Sequence, residues 1–260
     1  MPLPFAFNPR RDLPALFRAA RRELGATVAL LIAALSAMTF LSIAEEVAEG
    51  ETRAIDLAIL DALRQPGRPR ELIGPDWLHV AAIDITSLGS LAVLGLLILL
   101  AFALLACLRQ WGEGFLLLIG AGGGLAISQG LKLLFGRERP DMDYRAVEAV
   151  NASFPSGHAM LSAVVFLTLG ALAARFAARK RLKALALGAA VALSLLVGLS
   201  RIYLGVHWTS DVVAGWCVGA TWAMACWLAA FAWTRWRGRR AGNGRGGTSD
   251  QLSARETPLS

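Results

Sequence analysis

Residues 132–140 read KLLFGRERP, residues 155–158 read PSGH and residues 200–211 read SRIYLGVHWTSD; each stretch lies at the end of a long apolar run. Together they set three cations (Lys132, Arg139, Arg201), two imidazoles (His158, His207), the Ser156 hydroxyl and the Asp211 carboxylate at the ends of runs that read as membrane spans. Ionisable groups at that depth are costly unless they are used, so this concentration marks a functional site.

The rest of the chain supports a membrane setting. Hydrophobic residues make up 56% of the 260 and charged residues 17%, with a mean hydropathy of +0.54. That exceeds an ordinary soluble domain. A net charge of +7 would suit nucleic acid only if it covered a soluble surface, whereas the basic residues here flank apolar runs. Such flanking is a topology signal, so the expected partner is the lipid bilayer and not nucleic acid. Cys107, Cys217 and Cys226 are odd in number and sit inside apolar runs. They show neither a disulfide framework nor zinc spacing and read as small core hydrophobes.

Working outward, six apolar runs are long enough to span: 24–43, 87–108, 115–135, 158–178, 184–200 and 210–233. The fold expected is therefore all-α, a bundle of six transmembrane helices. The first run has no small-residue cleavage site before Glu45, so it reads as a retained span and not a signal peptide. After it, Ile55, Leu57, Ile59, Leu60 and Leu63 are spaced as a short amphipathic helix lying at the interface. The third run is dense in Gly120, Gly122, Gly123, Gly124, Ser128 and Gly130. Small residues let helices approach closely in lipid, which predicts a central position for this span. The tryptophans in and beside the sixth run suit interfacial belts. Residues 1–23 form a short basic lead, 24–234 one membrane domain, and the Arg/Gly/Ser-rich 235–260 a disordered, solvated tail.

Six spans put both termini on one side. That side collects 17 of the 26 Lys and Arg residues, which marks it as cytoplasmic and puts all three polar stretches at the outer face. The Ala/Arg-rich composition fits a bacterial chain, and hence the bacterial inner membrane.

Chemically, Lys132, Arg139 and Arg201 offer positive charge and forked donors suited to phosphate oxygens. Ser156-Gly157 at the start of the fourth span reads as a helix N-terminus whose free amides welcome an anion. His207 and Asp211 are four apart, hence on one helical face, where a carboxylate can orient an imidazole as nucleophile. His158, from another span, is placed to protonate a leaving oxygen. No metal or other cofactor is demanded, because the cations already neutralise phosphate; a two-histidine metal site is the rival, with few carboxylates near it.

Lys132, six residues, Arg139-Pro140, then Pro155-Ser156-Gly157-His158, then Ser200-Arg201, five residues, His207, three residues and Asp211 resembles the three-part signature of the type 2 phosphatidic acid phosphatase superfamily. That superfamily includes integral-membrane lipid phosphatases and soluble vanadium haloperoxidases. The resemblance covers about residues 80–232. It implies that His207 is phosphorylated during catalysis, Asp211 orients it, and His158 is the acid. It also implies that Lys132, Arg139, Ser156, Gly157 and Arg201 hold the phosphoryl oxygens, without a metal.

The expected activity is hydrolysis of a lipid phosphate monoester or diphosphate at the outer face. Carrier-lipid recycling would make undecaprenyl diphosphate the substrate. Phosphatidic acid, phosphatidylglycerol phosphate or a phosphotransfer to another acceptor are the alternatives. A transporter would show paired repeats, and none is visible. Arg137 and Arg145 read as ordinary loop charges, His79 as interfacial, and the Asn151-Ala152-Ser153 sequon as a chance match. Asp84 and Ser87 either face the site or cap the second span.

Overall fold

Backbone inside a bilayer must satisfy its own hydrogen bonds, and apolar runs of this length do so as helices. The computed structural model describes the backbone of residues 9–148 and 151–253, with side chains from 23–148 and 151–237. Residues 1–8, 149–150 and 254–260, and the side chains of 9–22 and 238–253, lie outside the described residues. The order is α1 (Pro9–Glu49), α2 (Arg53–Ala62), β1 (Arg64–Gln65), β2 (Arg68–Leu72), α3 (Asp76–Ser87), α4 (Leu91–Cys107) and α5 (Trp111–Phe135). After α5 come a 3-10 turn (Met142–Tyr144), α6 (Gly157–Phe176), α7 (Lys180–Tyr203) and α8 (Thr209–Ser253). Among the described residues, five helices are long and apolar enough to cross a membrane, and the bent pair α3–α4, counted as one crossing, makes a sixth in the helical bundle.

Several expectations are refined. The second span starts well before residue 87 and bends by 50° between α3 and α4, where Ser90 restarts the helix by accepting from the Val93 amide at 3.3 Å. The small-residue span α5 is not the centre. α6 is the most buried span, because it packs against α5, α7 and α8 at once. The stretch 64–72 folds into a small antiparallel hairpin, and α2 turns its apolar face onto the bundle, Ile59 and Leu63 packing against Ala159, Ile202 and Val212. The expected irregular tail from residue 235 is instead a continuation of α8 to Ser253; a helix already nucleated in the span propagates without a new nucleus. Of the tryptophans, Trp216 and Trp222 lock helices together by donating to Ser194 O (3.0 Å) and Gly120 O (2.8 Å), whereas Trp233 and Trp236 are exposed.

Gly120, Gly124, Ser128 and Lys132 recur every four residues along α5 and are all buried. A Cβ on Gly124 would lie 3.3 Å from Val164 of α6. This small-residue stripe therefore draws α5 onto α6, and its last member carries the lysine.

Candidate active site

The α5 stripe ends beside the start of α6: a Cβ on Gly157 would lie 3.3 Å from Ser128 Oγ and 3.7 Å from Lys132 Cε. Lys132 is buried and donates to Ala152 O in the strand of loop leading into α6. Gly136 then ends α5 in the left-handed conformation, φ 55°, which a residue with a side chain adopts only at a cost. The turn sends the following loop back across the end of the bundle, where the Ser153 amide donates to Arg137 O at 2.8 Å.

Arg139 is aimed inward from this loop. Its Nε donates to Asn151 O and its Nη1 to Val206 O, both at 2.6 Å, and Nη1 also lies 3.2 Å from His207 Nε2. A guanidinium has no lone pair to offer, so His207 Nε2 must be the acceptor in that contact. The ring hydrogen is then on Nδ1, which faces Asp211 Oδ2 at 3.3 Å and Ser153 Oγ at 3.4 Å. The donor chemistry thus selects the tautomer in which Nε2 is bare. Burial first, then the charges of Arg139, Arg201, Lys132 and His158, push the His207 imidazole well below its ordinary pKa and keep it neutral. His207 reaches this position through Gly205, whose φ is 69° and where a Cβ would fall 2.0 Å from Tyr144 O.

Asp211, fully buried, accepts from Ser153 Oγ, from the Trp208 amide at 3.0 Å and from Arg137 Nη1 at 2.7 Å. On the other wall, Arg201 of α7 is buried and its Nη1 donates to Thr86 of α3 at 3.2 Å.

Two buried polar atoms of this group have no partner: Arg201 Nε and Ser156 Oγ. Ser156 is the N-cap of α6 yet its side chain makes no capping bond. Orphaned buried donors are costly, roughly 1–3 kcal/mol each. Their convergence with Lys132, Arg139 and the first amides of α6 describes a cradle for a tetrahedral oxyanion. Lys132, Arg139, Ser156, Gly157, Arg201, His158, His207 and Asp211 are thus drawn from α5, the loop after it, the starts of α6 and α8 and the end of α7 into one end of the bundle.

The residues weighed separately fall out differently. Asp84 and Ser87 are exposed, while Thr86 between them turns to Arg201. His79 is half-buried, with Nε2 enclosed and without a partner. Arg137, which in sequence looked like a loop charge, is partly buried and held between two carboxylates, Asp211 and Asp56, at 2.7 and 2.9 Å. Ser153, Thr86 and Asp56 also escaped sequence reasoning. The one available signal was the N-terminal turn of α2, where an acidic residue interrupts an apolar face.

A sequence-family model for the PAP2 superfamily matches residues 113–235. Phosphatidylglycerophosphatase B of Bacillus subtilis is 32% identical over 184 residues, 69% of this chain and 85% of that protein. The chain belongs to the PAP2 superfamily. It is an integral membrane phosphoric ester hydrolase, a lipid phosphatase. The crystal structure of a transmembrane PAP2-type phosphatidylglycerolphosphate phosphatase from B. subtilis superposes with a TM-score of 0.68 at 29% identity, covering 78% of this chain and 96% of that one. Decaprenylphosphoryl-5-phosphoribose phosphatase of Mycobacterium tuberculosis is 37% identical over 136 residues, half of this PAP2 chain and 64% of that one.

Proposed function

We propose that this phosphatase works through a phosphohistidine on His207 at the outer face of the inner membrane. The observation that carries the mechanism is the contact of Arg139 Nη1 with His207 Nε2, which leaves that nitrogen unprotonated with its lone pair toward a cradle cation, a hydrogen bond that the incoming phosphoryl group replaces. Nε2 attacks phosphorus, the P–O bond to the lipid breaks, and His158 gives its proton to the departing oxygen. His158 then takes a proton from water as the water oxygen attacks the phosphohistidine; the P–N bond breaks and inorganic phosphate leaves. Lys132, Arg139, Arg201, Ser156 Oγ and the amide of Gly157 stabilise the charge developing on the phosphoryl oxygens, each such donor contributing about 10²–10³-fold. Asp211 holds the tautomer and balances the imidazolium charge.

For the substrate, phosphatidylglycerol phosphate comes first. The B. subtilis relative named for that activity is matched over 85% of its length. Polyprenyl phosphates and diphosphates, undecaprenyl diphosphate among them, are the second reading, favoured by the mycobacterial relative named for a decaprenylphosphoryl substrate. The test is phosphate release from a panel of these lipids, with phosphatidic acid, by the detergent-purified protein. His207→Ala should abolish release at unchanged expression, and retained turnover would sink the phosphohistidine. Phosphorylated acceptor without free phosphate would make the protein a phosphotransferase instead.

A further inference from the structure

The proposed mechanism asks Asp211 to present one oxygen to His207 Nδ1 and to keep it there. A buried carboxylate can turn about its terminal bond, so something must hold the other oxygen. Arg137 does: its Nη1 donates to Asp211 Oδ1 and to Ser210 Oγ, both at 2.7 Å. Its Nη2 donates to Asp56 Oδ2 and Thr52 Oγ1, both at 2.9 Å. One guanidinium thus bridges the site carboxylate to α2, a helix outside the stretch that carries the family signature.

Asp56 does more than balance a charge. It is 3% exposed. Its Oδ1 accepts from the Ser210 amide at 2.9 Å and its Oδ2 from the Ser210 hydroxyl at 2.6 Å. The Ser210 amide lies in the first turn of α8, where no intrahelical acceptor exists. Asp56 therefore caps, from another element, the helix on which Asp211 sits. The Trp208 ring adds a third tie: Arg53 of α2 and Arg137 lie 5.4 and 5.7 Å from its centroid, and its backbone amide donates to Asp211 Oδ2.

Two buried charges are a poor way to gain stability, since well-packed apolar residues in their place are often neutral or better. Their worth here is geometric. The planar fork of Arg137 sets the distance and angle between two carboxylates, and Lys, a point charge, cannot reproduce that. With Oδ1 pinned, Oδ2 is left for His207 Nδ1, Ser153 and the Trp208 amide.

We infer that Asp56 and Arg137 are positioning residues of this phosphatase: α2 clamps Asp211 through Arg137 and so keeps His207 Nε2 bare and in line. The inference rests on His207 being the nucleophile. Losing the orienting carboxylate of a comparable triad costs about 10⁴-fold, and a misplacement near 1 Å about 10²-fold; loss of the clamp belongs with the second.

The test uses the full chain in detergent with a radiolabelled lipid phosphate, measuring the single-turnover rate constant of phosphoenzyme formation, which does not depend on the active fraction. Arg137→Gln should slow it about 10²-fold and Asp56→Asn about tenfold, with KM little changed in either. Because Asp56→Asn keeps an oxygen for the Ser210 amide, its effect runs through Arg137, and adding it to Arg137→Gln should slow the reaction no further. Arg137→Lys should fall between wild type and Arg137→Gln. A wild-type rate constant in Arg137→Gln, or full additivity in the double variant, would overturn the clamp. If Arg137→Gln does not fold, Asp56→Asn, which keeps an oxygen to cap Ser210, decides alone: a wild-type rate constant refutes the clamp and a slowed one at unchanged KM supports it. Absence of any phosphoenzyme in the wild-type protein would instead overturn the role of His207.

Discussion

Gly89 sits in the bend between α3 and α4, and a Cβ there would fall 2.4 Å from Val197 Cγ1 and 3.3 Å from His158 Cδ2. Relaxed carbon–carbon contacts are about 3.5–4.0 Å, so Gly89→Ala demands a shift of about 1 Å or more. Val197 is fully buried and β-branched on a helix, so it cannot swing aside by a rotamer change. The strain, about 1–3 kcal/mol for an overpacked site, passes to the bend and to the His158 ring. A 1 Å misplacement of a proton donor costs about 10²-fold where protonation of the leaving group matters. It should matter for an alkyl phosphate and little for p-nitrophenyl phosphate, whose leaving oxygen needs no proton. The expected outcome is a kcat loss of about 10²-fold on the lipid substrate against less than about tenfold on the aryl ester. Adding Val197→Ala should return most of the lipid activity. Equal losses on both substrates, or no recovery in the double variant, would refute the placement of His158 as the acid that Gly89 makes room for.

Three further outcomes follow from the site. Ser156→Ala removes a buried hydroxyl that has no partner, so thermal unfolding of the substrate-free protein should not fall, while kcat/KM drops about 10²-fold or more; a lowered melting temperature with intact kinetics would contradict the oxyanion cradle. His207 must be neutral to attack, and its pKa is held well below the ordinary imidazole value by burial and by neighbouring cations. Lowering the pH through about 6.5 should therefore leave phosphoenzyme formation unaffected by this group, with the loss appearing only at lower pH; an acid limb at or above that value, after the substrate's own ionisation is recorded by phosphorus NMR, would refute it. Lys132, Arg139 and Arg201 already supply the charge a metal would bring, so activity should survive EDTA, and a loss restored by added divalent ion would overturn a cation-only site.

Much of the site was legible because its chemistry is local in the chain. Lys132 ends one span, Ser156 and His158 begin another, and His207 and Asp211 are one helical turn apart, so spacing alone puts them on defined faces. Arg137 was not legible. Nothing at residues 136–140 says that its guanidinium turns away from Arg139 toward a carboxylate 81 residues earlier in the chain. Gly89 and Thr86 were missed for a similar reason: the apolar run 87–108 crosses the bend between α3 and α4 without a break in hydropathy, and Thr86 lies just before it. The central place of α6 also escaped, since small residues report how closely a helix approaches a neighbour and not how many neighbours it has.

By itself, the sequence determined that this is a helical membrane protein and which of its residue types are chemically suited to a phosphate, because hydropathy and helical periodicity act within one segment at a time. Tertiary structure decided the tautomer of His207, the orphaned donors of Ser156 and Arg201, and the clamp from α2 to Asp211. These depend on angles and distances of a few tenths of an ångström between segments far apart in the chain, and only the packing of one helix end over another sets them.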